Sequence, residues 1–239
     1  MRFAPSILLA LPRRHFYFAA IAAAGAAGGC HPSGAVTPTG PFAPSDRAAF
    51  EAAAARTAPA RRELLRIRWH SDDGRISVSG SGAVRVAPPD SVRVDIAVRL
   101  GVARGTLIVT GDSVSAEPRE VTEQFLQGRF ALWAALGVIQ VPDGLSAFAV
   151  LEDRGRTFWR VTDDAGRTTT FEMRGDTLLG VTRERAGTAM SQLRLARGPD
   201  GAVTQARVTD YERQARFEVE ISSRQPSEAF PSDIWRLRS

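Results

Sequence analysis

The sequence has no lysine, a single cysteine and three histidines in 239 residues. One cysteine excludes an intramolecular disulfide, so the domain must be stabilised by its core. Only His70 lies beyond the first 45 residues, which excludes a histidine cluster around a metal ion. The basic residues are all arginines, and they alternate with acidic residues along the chain. This mixture does not indicate the one-sided basic face that nucleic acid requires.

Motifs for catalysis are absent as well. There is no nucleophile elbow, phosphate loop or dinucleotide fingerprint. A serine–histidine–aspartate set around His70 is conceivable, but the nearby serines alternate with apolar strand residues and the nearby acids are typical of a turn. We therefore expect no catalytic residue, no metal and no cofactor.

The first thirty residues are typical of an export signal. Arg13 and Arg14 precede an apolar run over 16–29, which is shorter than the roughly 20 residues of a membrane-spanning helix. The run ends in AGGC, which resembles the bacterial lipobox, although alanine stands where that motif prefers leucine. In a lipobox the cysteine, here Cys30, is lipidated and becomes the new N-terminus. An ordinary secretory signal with a chance cysteine is the alternative.

These features predict three segments: a lipoprotein signal peptide over 1–30, a Pro/Gly-rich tether over 31–45 and a domain over 46–239. Acyl chains such as palmitate on Cys30 would anchor the chain in a membrane, at about 0.8 kcal/mol per buried CH₂. We expect a cell-envelope location facing the periplasm. The outer membrane is favoured over the inner one, because no aspartate follows the cysteine. Both the general export pathway and the twin-arginine pathway are compatible with this signal.

Most of the domain has the period of two that is typical of β-strands with one buried and one wet face. Twelve runs show it, separated by turn signals such as Asp-Gly and Gly-Asp. They are 64–70, 76–86, 91–100, 104–110, 112–116, 146–151, 156–162, 167–173, 177–184, 189–196, 203–210 and 215–221. About eleven or twelve short strands predict a mainly β fold, either a sandwich or a barrel.

Two segments predict helices. An alanine-rich helix over 46–57, with Ser45 as its N-cap, would lie against the mouth of the domain. A second helix over 121–136 is apolar nearly all round in its second half, so another part of the protein must cover it. A fixed plug in a curved sheet and a movable lid over an apolar cavity are both compatible with this pattern.

The order of these parts resembles the LolA/LolB lipoprotein-carrier superfamily. It comprises a lipobox cysteine, a tether, a helix, strands, an apolar helix in mid-chain and about six or seven more strands. The closest local likeness is GSGAVRVAPPDSVRVDIAVRLGVARGTLIVTGDSV, residues 80–114. The resemblance covers 46–239. It implies an incomplete antiparallel β-barrel of about 11 strands, with helices covering the open side.

The resemblance also implies a function, namely a membrane-anchored periplasmic lipoprotein that binds acyl chains of lipids or lipoproteins and passes them to the outer membrane. Its cargo would arrive from a periplasmic carrier protein. Leu100 and Val102 occupy the turn that would help to deliver cargo into the membrane, although either residue could instead be part of the core. Candidates for the cavity wall, each of which could instead be plain core, are Val84, Val94, Ile96, Val98, Leu107, Val109, Phe125, Trp133, Trp159 and Phe217. The alternative is a non-catalytic structural or assembly lipoprotein that binds a protein partner.

Overall fold

The computed structural model describes residues 38–99, 103–118 and 129–237. This part of the chain contains thirteen β-strands, two α-helices and one short 3-10 helix, Ser232–Trp235. The strands are β1 (Ala43–Ser45), β2 (Glu63–Asp72), β3 (Ser77–Ala87), β4 (Ser91–Val98), β5 (Arg104–Thr110), β6 (Ser113–Glu117), β7 (Leu145–Asp153), β8 (Arg156–Asp163), β9 (Arg167–Arg174), β10 (Thr177–Arg185), β11 (Thr188–Arg197), β12 (Val203–Asp210) and β13 (Ala215–Pro226). The helices are α1 (Arg47–Ala55) and α2 (Arg129–Ala135).

All thirteen strands belong to one antiparallel sheet, in the spatial order β1-β7-β8-β9-β10-β11-β12-β13-β2-β3-β4-β5-β6. Most neighbours are also neighbours in sequence, as expected for hairpin connections. The exceptions are β1 beside β7 and β13 beside β2. The second of these pairings joins the two halves of the sheet. Because β1 and β6 end the sheet and do not pair, the barrel stays open.

The predicted mainly β class and open antiparallel barrel are confirmed, with thirteen strands where about eleven were expected. Each of the twelve alternating runs corresponds to one strand, from β2 to β13. The remaining strand, β1, lies within the range predicted as tether, where the sequence does not alternate. Its three residues pair with 148–150 of β7. Just before it, the Thr39 hydroxyl donates to Asp153 Oδ2 at 3.2 Å.

Helix α1 lies on the inner face of the sheet and is the centre of one core cluster. Phe50 is fully buried, with ring centroids 5.3 to 5.9 Å from those of Phe148, Trp159 and Phe171. The helix is thus part of the core, and its position at the domain mouth stays a prediction. Asp46 is the N-cap, accepting from the Ala49 N–H at 2.8 Å.

The predicted N-cap, Ser45, is instead the last residue of β1. A short polar residue in extended backbone fits either a strand end or a cap, and the pairing of β1 with β7 decides between them.

Helix α2 contacts both halves of the sheet, since Ala134 belongs to the core cluster around α1. Leu132 and Trp133 pack against β2 to β5 and β13, and the Trp133 side chain is fully buried. The helix ends at Ala135, and the φ of 86° at Gly137 gives the left-handed turn of a Schellman motif. There the Val138 N–H donates to the Trp133 carbonyl at 2.9 Å. Of the predicted helix over 121–136, residues 121–128 lie outside the described residues.

The ends of the two helices are joined through Thr57. Its hydroxyl donates to the Ala54 carbonyl at 2.7 Å and accepts from the Ile139 N–H at 2.8 Å. The segment that follows α2 is therefore attached to the end of α1. Among the described residues, no helix is long and apolar enough to cross a membrane.

Candidate functional site

An apolar cavity of about 50 Å³ lies between α2 and the inner face of the sheet. It is formed by strands β2 to β5 on one side and by β12 and β13 on the other. Its thirteen lining residues are all apolar: Ile67, Trp69, Val84, Val94, Ile96, Leu107, Leu132, Ala135, Leu136, Ala206, Phe217, Val219 and Ile221.

Two inward positions of β3 are glycines, and side chains of the neighbouring strands fill the space above them. Gly82 pairs with Ile67 and Ile96, and a Cβ there would lie 3.3 and 3.2 Å from their side chains. Gly80 pairs with Trp69, and a Cβ there would lie 2.6 Å from the indole ring. The large side chains of β2 and β4 thus lie over bare backbone instead of meeting a third side chain.

Five of the ten candidate residues line this cavity. They are Val84, Val94, Ile96, Leu107 and Phe217. All five occupy inward positions of the sheet, as their alternation with polar residues predicts. That they contact lipid remains a prediction.

The other candidates lie elsewhere. Val109 and Trp133 are fully buried in the same core cluster without lining the cavity, and Val98 is partly buried against that cluster. Trp159 faces inward, but β8 lies in the half of the sheet that α1 fills. The remaining predicted sites fall outside the described residues: Cys30, Leu100, Val102 and Phe125.

Eight lining residues were missed by the sequence analysis. Four of them alternate with polar residues along β2 and β13. The strand pattern could therefore have identified Ile67, Trp69, Val219 and Ile221. Leu136 and Leu132 belong to the predicted apolar helix. The sequence does not identify Ala135 and Ala206, because a small residue indicates neither a cavity wall nor a packed core.

The wall contains no titratable group, so it offers apolar contact and no acid–base chemistry. One polar atom of the described residues, Trp133 Nε1, is buried nearby without a hydrogen-bond partner. Charged networks lie on the outer face instead. Burial by itself raises the pKa of Asp95, but hydrogen bonds from Arg93 and Thr106, with the charges of Arg93 and Arg85, lower that pKa below its usual value.

No family model matches the sequence, and none of the curated proteins matches it. Solved structures do match. A LolA superfamily protein from Nitrosomonas europaea has a TM-score of 0.54 at 9% identity, covering 80% of this chain and 97% of that chain. A putative outer membrane lipoprotein-sorting protein domain from Vibrio parahaemolyticus has a TM-score of 0.51 at 10% identity, covering 77% and 94%. This chain therefore has the fold of LolA-superfamily proteins, as the order of its parts predicted.

Proposed function

We propose that this chain is a membrane-anchored, non-catalytic carrier or acceptor of acyl chains, which it holds in the cavity beneath α2. The observation that carries the proposal is a wall of thirteen apolar residues without a charge. Acyl chains require apolar area to leave water and no catalytic group. One protein with this fold is described as a putative outer membrane lipoprotein-sorting domain, and lipoproteins carry acyl chains.

The size of the cavity sets a condition on binding. Pockets for drug-sized ligands commonly measure about 300 to 1,000 Å³, whereas this cavity measures about 50 Å³. An acyl chain can therefore enter only if the side chains of α2 move away from the sheet. Gly137 and the bond from Ile139 to Thr57 hold the end of the helix, so the movement would pivot there.

The free energies allow this exchange. Burial of Leu132, Trp133 and Leu136 against the sheet contributes roughly 8 kcal/mol, from about 2 kcal/mol for each leucine and about 4 kcal/mol for the indole. A chain with about fifteen CH₂ groups gains about 12 kcal/mol when it is buried. The difference of about 4 kcal/mol is comparable to the lower end of the cost of association, so the exchange of helix contacts for ligand contacts is nearly balanced. A nearly balanced exchange permits release, which a carrier needs.

The proposed anchor would hold the domain near a membrane. Cys30 precedes Pro38, the first described residue, by eight residues, which span at most about 28 Å. A lipidated Cys30 would therefore hold the domain close to the periplasmic face of the outer membrane. Cargo would arrive from a periplasmic carrier, and Leu100 and Val102 would contact the membrane during delivery.

The test is native mass spectrometry of the chain from His31 onward, which lacks the anchoring cysteine and can be purified without detergent. We expect co-purified lipid and saturable binding of a fluorescent fatty acid. Ala135→Asp places a carboxylate in the cavity wall and should abolish the binding of the fatty acid, because burial of an unpaired charge costs several kcal/mol. Ala52→Asp, on the exposed side of α1, is the matched control.

Circular dichroism would first confirm that both variants are folded. A protein free of lipid that does not bind the fatty acid would overturn the proposal. It would favour the structural or assembly lipoprotein, in which case a protein partner should co-purify with the anchored chain.

A further inference from the structure

A second hollow, with a volume of about 280 Å³, lies on the outer face of β8 to β11. A row of four paired residues runs straight across the four strands at its centre. Arg160 pairs with Thr170, Thr170 with Thr182, and Thr182 with Gln192. These side chains point away from the core, because their neighbours along each strand face α1.

The hollow exists because small residues form its floor between long side chains. In the adjacent row, Gly180 pairs with both Glu172 and Arg194. A Cβ on Gly180 would lie 2.7 Å from Arg194 Nη1, so only glycine lets this guanidinium lie over the strand. Thr170 and Thr182 extend little from the sheet. The hollow is therefore built into the sequence of these strands.

The wall of the hollow contains two arginines, Arg160 and Arg194, and two glutamates, Glu172 and Glu184, so its formal charges balance. Arg156 and Arg194 both bind the carboxylate of Glu172, which is 3% exposed. Arg160 forms no ion pair with the described residues, and its guanidinium lies 3.7 Å from the centre of the Phe42 ring. Glu184, also in the wall, is the one further carboxylate there.

Two donors in this wall lack acceptors. The Nε atoms of Arg160 and Arg194 are buried and have no hydrogen-bond partner in the part of the chain that the structure describes. An arginine does not lose its proton in proteins, so the donors cannot be removed by titration. A buried donor without a partner costs about 1 to 3 kcal/mol. A ligand would recover that free energy only if the guanidinium group turns toward the hollow, because both Nε atoms are shielded from solvent in this structure.

We propose that this outer hollow binds a phosphodiester through Arg160 and Arg194. The planar guanidinium presents paired N–H groups that match two phosphate oxygens. The hydroxyls of Thr170 and Thr182 and the amide of Gln192 supply further donors. The two glutamates in the wall repel a doubly charged phosphate monoester more than a singly charged phosphodiester.

The position of the hollow indicates the source of the phosphodiester. Pro38 belongs to the wall, and Cys30 lies eight residues upstream, at most about 28 Å away. The ligand is therefore the headgroup of a phospholipid in the membrane to which the chain is anchored. This assignment of the source rests on the proposed anchor, whereas the binding of a phosphodiester does not.

The test titrates the full lipidated chain, held in a neutral detergent, with glycerophosphoglycerol and separately with inorganic phosphate, followed by ³¹P NMR at low salt. We expect the diester to bind and to do so more tightly than inorganic phosphate. Arg160→Gln should weaken its binding at least tenfold, and Thr182→Val severalfold. Arg68→Gln is the matched control, because Arg68 is an exposed arginine on β2, away from the hollow.

The two proposals fail separately in these experiments. Arg160→Gln should leave the binding of a fluorescent fatty acid unchanged, and Ala135→Asp should leave the binding of the diester unchanged. A diester that does not bind, or binds equally to the Arg160→Gln variant, would overturn the site. Tighter binding of inorganic phosphate than of the diester would overturn the headgroup as the source.

Discussion

Filling the apolar cavity from its own wall should stabilise the fold and weaken the binding of acyl chains. Ala206, on β12, is the position for this change, because it is 3% exposed and lines the cavity. Ala206→Val adds two methyl groups to a strand, where a β-branched side chain is also favoured. The same change should thus act on stability and binding in opposite directions.

The expected gain follows from the volume. Cavities cost about 24 cal/mol per Å³, so complete filling of about 50 Å³ contributes at most about 1.2 kcal/mol. Imperfect fit reduces this value, and we expect an increase of about 0.5 to 1 kcal/mol in the free energy of unfolding. In a domain of this size, each kcal/mol raises the melting temperature by about 2 to 4 °C.

Urea unfolding of the chain from His31 onward measures the first effect, and titration with a fluorescent fatty acid measures the second. Ala147→Val is the control, because Ala147 is exposed on β7 and tests strand propensity alone. A variant of Ala206 that is less stable than the wild type would refute the packing argument. Unchanged affinity for the fatty acid would refute the assignment of the cavity as the binding site.

Three further substitutions test the fold. Asp95→Asn should cost about 1 to 2 kcal/mol at pH 7, through weakened hydrogen bonds to charged groups. The folded-state pKa of Asp95 is lowered, so its contribution is complete above about pH 4 and lost at lower pH. The difference between the urea midpoints of variant and wild type should therefore shrink at pH 3, and an undiminished difference would contradict the ion-pair account. Gly137→Ala should be less stable than Gly155→Ala by about 1 kcal/mol or more. Both glycines have a positive φ, but only at Gly137 would a Cβ meet atoms at 2.9 Å, and equal melting temperatures would disprove this crowding. Trp133→Phe should change the free energy of unfolding by less than about 1 kcal/mol, because removal of the unpaired N–H offsets the loss of buried apolar area. Trp133→Ala should cost about 3 to 5 kcal/mol. A large loss of thermal stability with phenylalanine would show that the indole N–H is satisfied in the folded protein.

The outer hollow and the inner cavity use the same sheet in opposite ways. The positions of β2 to β5, β12 and β13 that line the cavity offer only apolar surface, and outward positions of β8 to β11 offer donors around a small floor. If both proposals hold, one side of the protein binds acyl chains and the other binds the headgroup of a membrane lipid. The headgroup contact would then orient the domain on the membrane in addition to the anchor at Cys30.

The alternation of residues along the chain was sufficient to predict twelve strands and the face to which most side chains point. Alternation predicted that Val94 and Ile96 face inward, and both lie at the apolar cavity beneath α2. Period two is a local property of extended backbone, so a sequence window of a few residues contains it. The order of strands and helices was likewise sufficient to indicate the superfamily fold.

Only the tertiary structure decided which inward residues meet. Trp159 and Phe217 have the same pattern, yet α1 fills the space beside one and the cavity lies beside the other. Pairing between distant segments, β1 with β7 and β13 with β2, determines this division, and no local pattern records it. The row that begins at Arg160 depends in the same way on the register of four strands. A residue's face follows from its own neighbours in sequence, whereas its partners follow from the free energy of the whole sheet.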